Sequence, residues 1–263
     1  MVDPADAIGK ARKAVTERAE LPGMSLMEHL EELRRRIVHS ALYLCAGFIV
    51  AYFYHVQLYA LVEEPLNRLN IKLNYTHPMD PLNLYLQVSL IGGAILASPF
   101  ILYQVWLFIA PGLYQTERRF VIPFMTATVG LFLTGAAFGY FWVLPGALKI
   151  LIVDFGSNFN PMVTIEQYTG FFLSIILGLG ISFELPILIF FLAMFGIVSP
   201  RFLWKNIRYA VLAVFLVAAI ITPSPDPWTM CIYAIPMLAL YMIGIAVAWW
   251  VHPSHRKARK AAK

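Results

Sequence analysis

Residues 178–196 read GLGISFELPILIFFLAMFG, a run of apolar and small residues that carries one carboxylate, that of Glu184. Such a run is typical of a helix that crosses a bilayer, because the hydrocarbon core, about 30 Å thick, needs roughly 20 apolar residues. An ionised carboxylate near the centre of such a helix costs at least about 2.5–3.5 kcal/mol. The stretch therefore predicts a membrane span and makes Glu184 a candidate functional residue.

The rest of the chain is similarly apolar. Of its 263 residues, 60% are hydrophobic and only 13% are charged, and the mean hydropathy of +0.70 lies far outside the range of soluble domains. Hydropathy divides the chain into six apolar segments: 37–57, 82–110, 120–145, 170–196, 207–221 and 228–251. We therefore predict an all-α membrane protein with six transmembrane helices, of which the last two are short and fall short of a full crossing.

The positive charges indicate how these helices are oriented. If the six segments alternate across the membrane, 17 of the 20 Lys and Arg residues lie on the side of the two termini. The positive-inside rule then places both termini in the cytoplasm. The outer connections 58–81 and 146–169 are long enough for short helices and turns, which we expect to cap the outer surface.

The two ends of the chain are polar and basic. Residues 1–22 lack the apolar core of a cleavable signal, so we expect the first apolar segment to stay in the mature protein. We therefore divide the chain into an N-terminal extension (1–22), one six-helix domain (23–251) and a basic cytoplasmic tail (252–263).

The sequence contains no recognisable catalytic or metal-binding pattern. Cys45 and Cys231 lie in predicted spans without framework spacing, and no two His residues within a span stand at i,i+4. The G-x-S-x-G, Walker A and H-E-x-x-H motifs are missing, as is a basic groove lined by aromatic residues. We expect neither an enzyme nor a protein that binds a cofactor, a metal or nucleic acid.

A charged segment, SLMEHLEELRRR (25–36), directly precedes the first span. Ser25 and Glu28 have the spacing of a capping box, which predicts that a helix begins next to Ser25. Glu32 and Arg36 stand at i,i+4 and would face each other on that helix. The segment is either a solvated lead-in helix or part of a binding surface.

A second acidic residue, Glu117, follows the second span in QVWLFIAPGLYQTERR (104–119). It either balances the charge of the two arginines after it or forms a site together with Glu32. Two carboxylates on a surface rich in arginine could accept a positively charged peptide through guanidinium–carboxylate hydrogen bonds.

For Glu184 three interpretations stay open: a protonated structural carboxyl, a proton or ion relay, and a docking point for a polar group of a partner helix. Pro186 cannot donate to the carbonyl of Ser182, so the helix should kink beside Glu184. Gly178 and Gly180 would let another membrane helix approach closely. The local sequence therefore favours docking.

Four motifs occur in order along the chain: HLEELRRR, SPFILYQVWLFIAPGLYQTERR, FELP and TPSPD. In order and spacing they resemble the TatC family of the twin-arginine protein translocase, and the resemblance covers about 25–251. It implies a concave bundle in the bacterial inner membrane that binds the twin-arginine signals of folded cargo. It also implies assembly with TatA and TatB, or with a bifunctional TatA, and with other TatC copies, in export driven by the proton gradient.

The resemblance assigns roles to individual residues. It implies that Glu32, Arg34, Phe108 and Glu117 bind the signal peptide, and that Glu184 meets polar groups of TatA and TatB on a concave surface within the membrane. Structural or translocation-linked roles are implied for Pro65, Pro99, Pro186, Pro223 and Asp226. The alternative function is a proton-coupled transporter of small solutes with Glu184 as its relay, although such a protein should carry several ionisable residues along one path.

Overall fold

The computed structural model of the chain describes residues 26–109, 121–222 and 227–251. In these ranges the one β-type contact is an isolated parallel β-bridge between Asn74 and Thr164. The α-helices are α1 (Leu26–Phe53), α2 (His55–Asn67), α3 (Asp80–Ile109), α4 (Val121–Phe138), α5 (Leu144–Leu148), α6 (Ile165–Ser182), α7 (Leu185–Met194), α8 (Pro200–Lys205), α9 (Ile207–Ile221) and α10 (Pro227–Val251). Two π-helical stretches, Gly139–Val143 and Lys149–Asp154, flank α5 and make it continuous with α4.

In the described residues each of the six predicted apolar segments is mainly helical. Five helical stretches there are long and apolar enough to cross a membrane: Met27–Phe53, Asp80–Phe108, Pro123–Asp154, Ile165–Met194 and Pro227–Val251. The fifth predicted segment, 207–221, forms α9, whose 15 residues cover only about 22 Å. The prediction of two short final helices is therefore correct for α9 and wrong for α10, which has 25 residues.

Helix α1 packs chiefly on α3, and two glycines set the distance between them. A Cβ atom on Gly47 would lie 2.5 Å from the carbonyl oxygen of Gly93, and one on Gly93 would lie 2.5 Å from the backbone nitrogen of Phe48. Such close backbone approach is typical of helix pairs in membranes, where small residues replace bulk hydrophobic packing. The two helices are thereby held in one axial register.

The main core lies around α6, which packs on α4, α3 and α10. Ile175 and Leu179 of α6 are fully buried, as are Leu144 of α5 and Tyr233 of α10. A smaller apolar cluster joins α7 to α10. Helices α6 and α7 belong to one predicted segment. The break between them lets α6 pack in the main core and α7 in the smaller cluster.

That segment is broken where the sequence predicts a kink. Helix α6 ends at Ser182 and α7 begins at Leu185, and Glu184 lies in the junction. The backbone nitrogen of Glu184 donates to the carbonyl oxygen of Ile181, and that of Leu188 donates to the carbonyl oxygen of Glu184. Pro186 is buried, and the helix is broken just before it. This break confirms the predicted kink and places the carboxylate of Glu184 at the bend.

A proline inside α3 is accommodated by its neighbour. Pro99 has no N–H for the carbonyl of Ile95, which a residue four positions later would otherwise bond. The hydroxyl of the buried Ser98 donates to that carbonyl at 2.8 Å. The polar backbone group therefore stays paired within an apolar helix.

The predicted outer connection contains a short helix, α2, as expected, and its proline is accommodated in the same way. Pro65 leaves the carbonyl of Leu61 without its regular partner, and the Tyr140 hydroxyl donates to it at 2.9 Å. The same hydroxyl lies 3.0 Å from Oε2 of Glu64, and Arg68 Nη2 lies 2.6 Å from Oε1. The hydrogen bonds from Arg68 and Tyr140 lower the pKa of Glu64 below its ordinary value, and the bond from Arg68 has the larger effect.

We predict that Ser98→Ala destabilises the protein by about 1–3 kcal/mol, because it leaves the Ile95 carbonyl unpaired in an apolar environment. In a Pro99→Ala background the new backbone N–H can bond that carbonyl, so the same change should cost much less. The thermal unfolding midpoint in detergent measures both effects.

Ser89→Ala is the matched control. Ser89 is fully buried in the same helix, and its hydroxyl bonds the carbonyl of Tyr85, which the regular helix also bonds through a backbone N–H. A cost for Ser98→Ala that is equal in both backgrounds, or equal to that of the control, would contradict this account of Pro99.

Candidate functional site

The start of α1 and the end of α3 lie side by side and hold three of the four predicted signal-binding residues. Glu32 and Arg34 belong to α1, and Phe108 lies near the end of α3. The ring of Phe108 stacks on that of His29 at 4.6 Å between centroids, with 27° between the ring planes. The fourth residue, Glu117, lies outside the described residues.

Glu32 is part of a buried polar network between the two helices. Only 7% of Glu32 and 5% of Gln104 are exposed. Nη2 of Arg36 donates to Oε1 of Glu32 at 3.1 Å, and Nη1 of the same guanidinium donates to Oε1 of Gln104 at 3.2 Å. The predicted pairing of Glu32 with Arg36 is confirmed, and the guanidinium also ties α1 to α3.

Two atoms of this network are buried without a hydrogen-bond partner among the described residues, namely Oε2 of Glu32 and Nε of Arg36. A buried carboxylate oxygen that accepts no hydrogen bond is costly. It is also an acceptor ready for an N–H group from outside the chain, and such a charge-assisted bond is roughly twice as strong as a neutral one.

A cavity of about 500 Å³ runs along this face of α1. Three carboxylates line it, those of Glu28, Glu31 and Glu32, together with Arg34 and Arg35. Arg34 is exposed and contributes a positive charge beside the acidic groups. The cavity can therefore accept cationic groups at the carboxylates and oxygen acceptors at the arginines.

The sequence interpretation missed His29 and Gln104, which join the predicted residues through a ring contact and a hydrogen bond. A signal for Gln104 was available, because it is a polar residue four positions before Phe108 in an apolar segment. Residues four apart share one face of a helix. That face is the one that α3 turns towards α1.

Glu184 is half-buried at the bend between α6 and α7. Its Oε1 atom is buried and has no hydrogen-bond partner in the described part of the chain. The side chain is therefore neither sealed in the interior nor neutralised by a described neighbour.

The glycines near Glu184 let other membrane helices approach closely, as predicted. A Cβ atom on Gly178 would lie 2.7 Å from Cγ2 of Ile221, and one on Gly180 would lie 3.0 Å from Cε2 of Phe132. Both neighbours belong to this chain, because α9 and α4 pack against α6 there. These two glycines therefore do not provide space for a partner helix.

An apolar groove of about 810 Å³ opens beside the bend, between α6, α9 and α10, with Leu90 of α3 at its edge. Ser182 and Leu185, on either side of the bend, line it. The Ser182 hydroxyl is used within the chain, since it donates to the carbonyl of Gly178 at 2.6 Å. The structure thus has a concave surface within the predicted membrane region next to Glu184.

The remaining predicted positions are partly described. Pro65, Pro99 and Pro186 lie in α2, α3 and the start of α7, while Pro223 and Asp226 lie outside the described residues. Within the described ranges no three His, Cys, Asp or Glu residues could hold a metal ion, and Cys45 and Cys231 are free thiols.

Comparison with known proteins gives consistent matches. The family model described as "Sec-independent protein translocase protein (TatC)" matches residues 28–236. The TatC protein of Koribacter versatilis is 51% identical over 99% of this chain and 98% of its own length, and that of Carboxydothermus hydrogenoformans is 38% identical over 88% and 95%. A solved structure titled "Crystal Structure of Twin Arginine Translocase Receptor- TatC" is 35% identical, covers 85% of this chain and 99% of its own, and superposes with a TM-score of 0.78.

Proposed function

Because the chain belongs to the TatC family of Sec-independent protein translocase proteins, we propose that it is the translocase subunit that binds twin-arginine signal peptides. Family membership makes it a multi-pass membrane protein and a component of a protein translocase, which is not an enzyme. On this proposal it also nucleates assembly with TatA and TatB, or a bifunctional TatA, and with further TatC copies, for export of folded proteins driven by the proton gradient.

The observation that carries this proposal is the oxygen of Glu32 that has no partner among the described residues, beside a cavity lined by carboxylates. Two adjacent arginines of a signal present ten N–H donors and no acceptor. A site for them should offer carboxylate oxygens in a partly dry setting, where each guanidinium–carboxylate hydrogen bond is strong. Glu32 provides such an oxygen, and Phe108 provides an apolar ring next to it.

On this proposal the other signal-binding residues belong to the same site. Glu117, in the segment after α3, is the dominant anionic contact. Arg34, exposed at the cavity, binds carbonyl groups of the signal peptide. Because both carboxylates and most arginines belong to segments on one side of the apolar spans, the signal binds at the cytoplasmic face.

We propose placement in the bacterial inner membrane, as the family implies, and the charge distribution orients the chain there. On this proposal the five long helical stretches span the bilayer and the shorter α9 also crosses, in a locally thinned bilayer, so that both termini are cytoplasmic. Residues 23–251 form one membrane domain, flanked by the basic extension 1–22 and the tail 252–263, which face anionic lipid head groups. Pro223 and Asp226 then lie in the outer turn and contribute during translocation.

Glu184 is the proposed docking point for a partner helix. Its half-buried carboxyl lies at the bend, with one oxygen that has no partner in the described ranges, and its chain neighbours Ser182 and Leu185 line the apolar groove. A single-span helix of TatA or TatB seated there would bury its apolar face in the groove and pair a polar group with Glu184. Polar pairs between membrane helices stabilise association by about 1–2 kcal/mol in peptide systems.

We predict that Glu117→Ala weakens binding of a twin-arginine signal peptide at least about tenfold, because a hydrogen bond to a charged group contributes about 1.5–3 kcal/mol. Titration of the labelled peptide against the purified protein measures this. A twin-lysine peptide of equal charge should bind more weakly to the wild type, since only arginine offers two parallel N–H groups.

Glu166→Ala is the control for loss of charge, because Glu166 is an exposed acid at the start of α6, away from the cavity on α1. It should leave peptide affinity unchanged. Undiminished binding by Glu117→Ala would refute the role given to Glu117.

We predict that Glu184→Gln retains more association with TatA and TatB, and more export of cargo, than Glu184→Ala. The amide still donates and accepts hydrogen bonds, whereas the methyl group does neither. Co-purification of the partners and export in cells are the measurements. Equal loss in both variants would indicate a role in charge or proton transfer, and no loss in either would contradict docking at Glu184.

A further inference from the structure

Gln104 is a buried amide near the end of α3, in the apolar stretch 99–109. Its described hydrogen bond is to a residue 68 positions away, the guanidinium of Arg36. A polar group in such a place is costly unless it is paired, so the pairing with Arg36 fixes both side chains. Through Arg36 this pairing can affect Glu32 as well as fasten α1 to α3.

The guanidinium of Arg36 is shared between two partners. Nη1 is directed to Gln104 and Nη2 to Oε1 of Glu32. An arginine next to a carboxylate otherwise favours a bidentate pair, with two parallel N–H groups on the two oxygens. Nη2 and Nε are the parallel donors that could bind both oxygens of Glu32 while Nη1 stays on Gln104, yet Nε and Oε2 of Glu32 have no hydrogen-bond partner among the described residues. The guanidinium, with Nη1 on Gln104, is thus oriented so that it contacts one oxygen of Glu32.

We propose that Gln104 is a positioning residue for signal recognition: by holding one end of the Arg36 guanidinium, it keeps the Oε2 atom of Glu32 available to an arginine of the signal peptide. This inference rests on the proposed function and names a residue outside the expected contact set. In the absence of Gln104, Arg36 turns onto both oxygens of Glu32 and forms a closed pair within α1. The carboxylate is then neutralised by its own chain, and the peptide loses a contact.

A purely structural role for Gln104 leads to a different expectation. If it only fastened α1 to α3, its loss would lower stability and would weaken peptide binding whether or not position 32 carries a carboxylate. If it acts through Glu32, its effect on binding disappears once that carboxylate is removed. A double-mutant cycle separates these two cases, because residues that act through one another give non-additive changes.

The experiment measures the affinity of a twin-arginine signal peptide for full-length Gln104→Leu, Glu32→Gln and the double variant. We expect each single change to weaken binding by about tenfold, the size of one charge-assisted hydrogen bond. The double variant should bind as weakly as Glu32→Gln alone. A double variant whose loss of affinity equals the product of the two single losses would overturn the proposal. Full affinity in Gln104→Leu would also overturn it.

The chain offers a matched control and a second route. Gln87→Leu makes the same change in the same helix, about 25 Å away at 1.5 Å per residue, and should leave affinity unchanged. If Gln104→Leu does not fold, as judged by its thermal midpoint, Arg36→Lys replaces it, since an ammonium keeps the charge but lacks the fork that reaches both partners. It should show the same loss and the same lack of additivity with Glu32→Gln.

Failure of the inference can be told from failure of the proposed function. Reduced binding by Glu32→Gln with unchanged binding by Gln104→Leu overturns the positioning role alone. Unchanged binding by Glu32→Gln removes the contact itself, so it overturns both the positioning role and the assignment of Glu32 as a signal-binding residue.

Discussion

The position of the candidate site depends on the close contact between α1 and α3 at Gly47 and Gly93. Because α1 packs chiefly on α3, this contact decides which face of α1 is turned inward and how far it is shifted along its axis. Successive residues of a helix are about 100° apart, so a shift of one residue would turn Glu32 away from Gln104. The ring contact of His29 with Phe108 and the Arg36 bridge then lock the same register nearer the site.

Backbone polar groups set a second constraint, since lipid offers them no hydrogen bonds. The proline of α3 is tolerated within a span because the Ser98 hydroxyl donates to the carbonyl that it leaves free. Outside the candidate spans, the Tyr140 hydroxyl does the same for Pro65 of α2. Pro186 has a different outcome, because the helix is interrupted before it and Glu184 lies in the interruption. Ser182 and Leu185, on either side of this carboxylate in the chain, line the apolar groove.

Much of this architecture could be predicted from the sequence, for identifiable reasons. Apolar segments report directly on membrane helices, because transfer into lipid depends on composition, and all six are helical. The kink at Pro186 and the pair of Glu32 with Arg36 are local consequences of covalent structure and helix spacing. The family resemblance rests on motifs that the comparisons match along most of the chain.

Tertiary neighbours could not be predicted in the same way. Gly178 and Gly180 indicate close packing, but the sequence does not say whether the neighbour is a partner or, as here, Ile221 and Phe132 of the same chain. Gln104 was overlooked because its partner lies 68 residues away, and only the packing of α1 on α3 brings them together. The predicted segment 228–251 matches α10 to within one residue, so the expectation that this helix is short did not follow from its predicted bounds.

The central claim is that Oε1 of Glu32 accepts a hydrogen bond from Arg36 of its own chain, while Oε2 accepts one from an arginine of the signal peptide. A structure of the protein in complex with a twin-arginine signal peptide tests it most directly. The account predicts a peptide guanidinium within hydrogen-bond distance of Oε2 of Glu32, with Arg36 still bound to Oε1 and to Gln104. A bound peptide whose arginines lie away from Glu32, or an Arg36 that covers both oxygens in the complex, would contradict it.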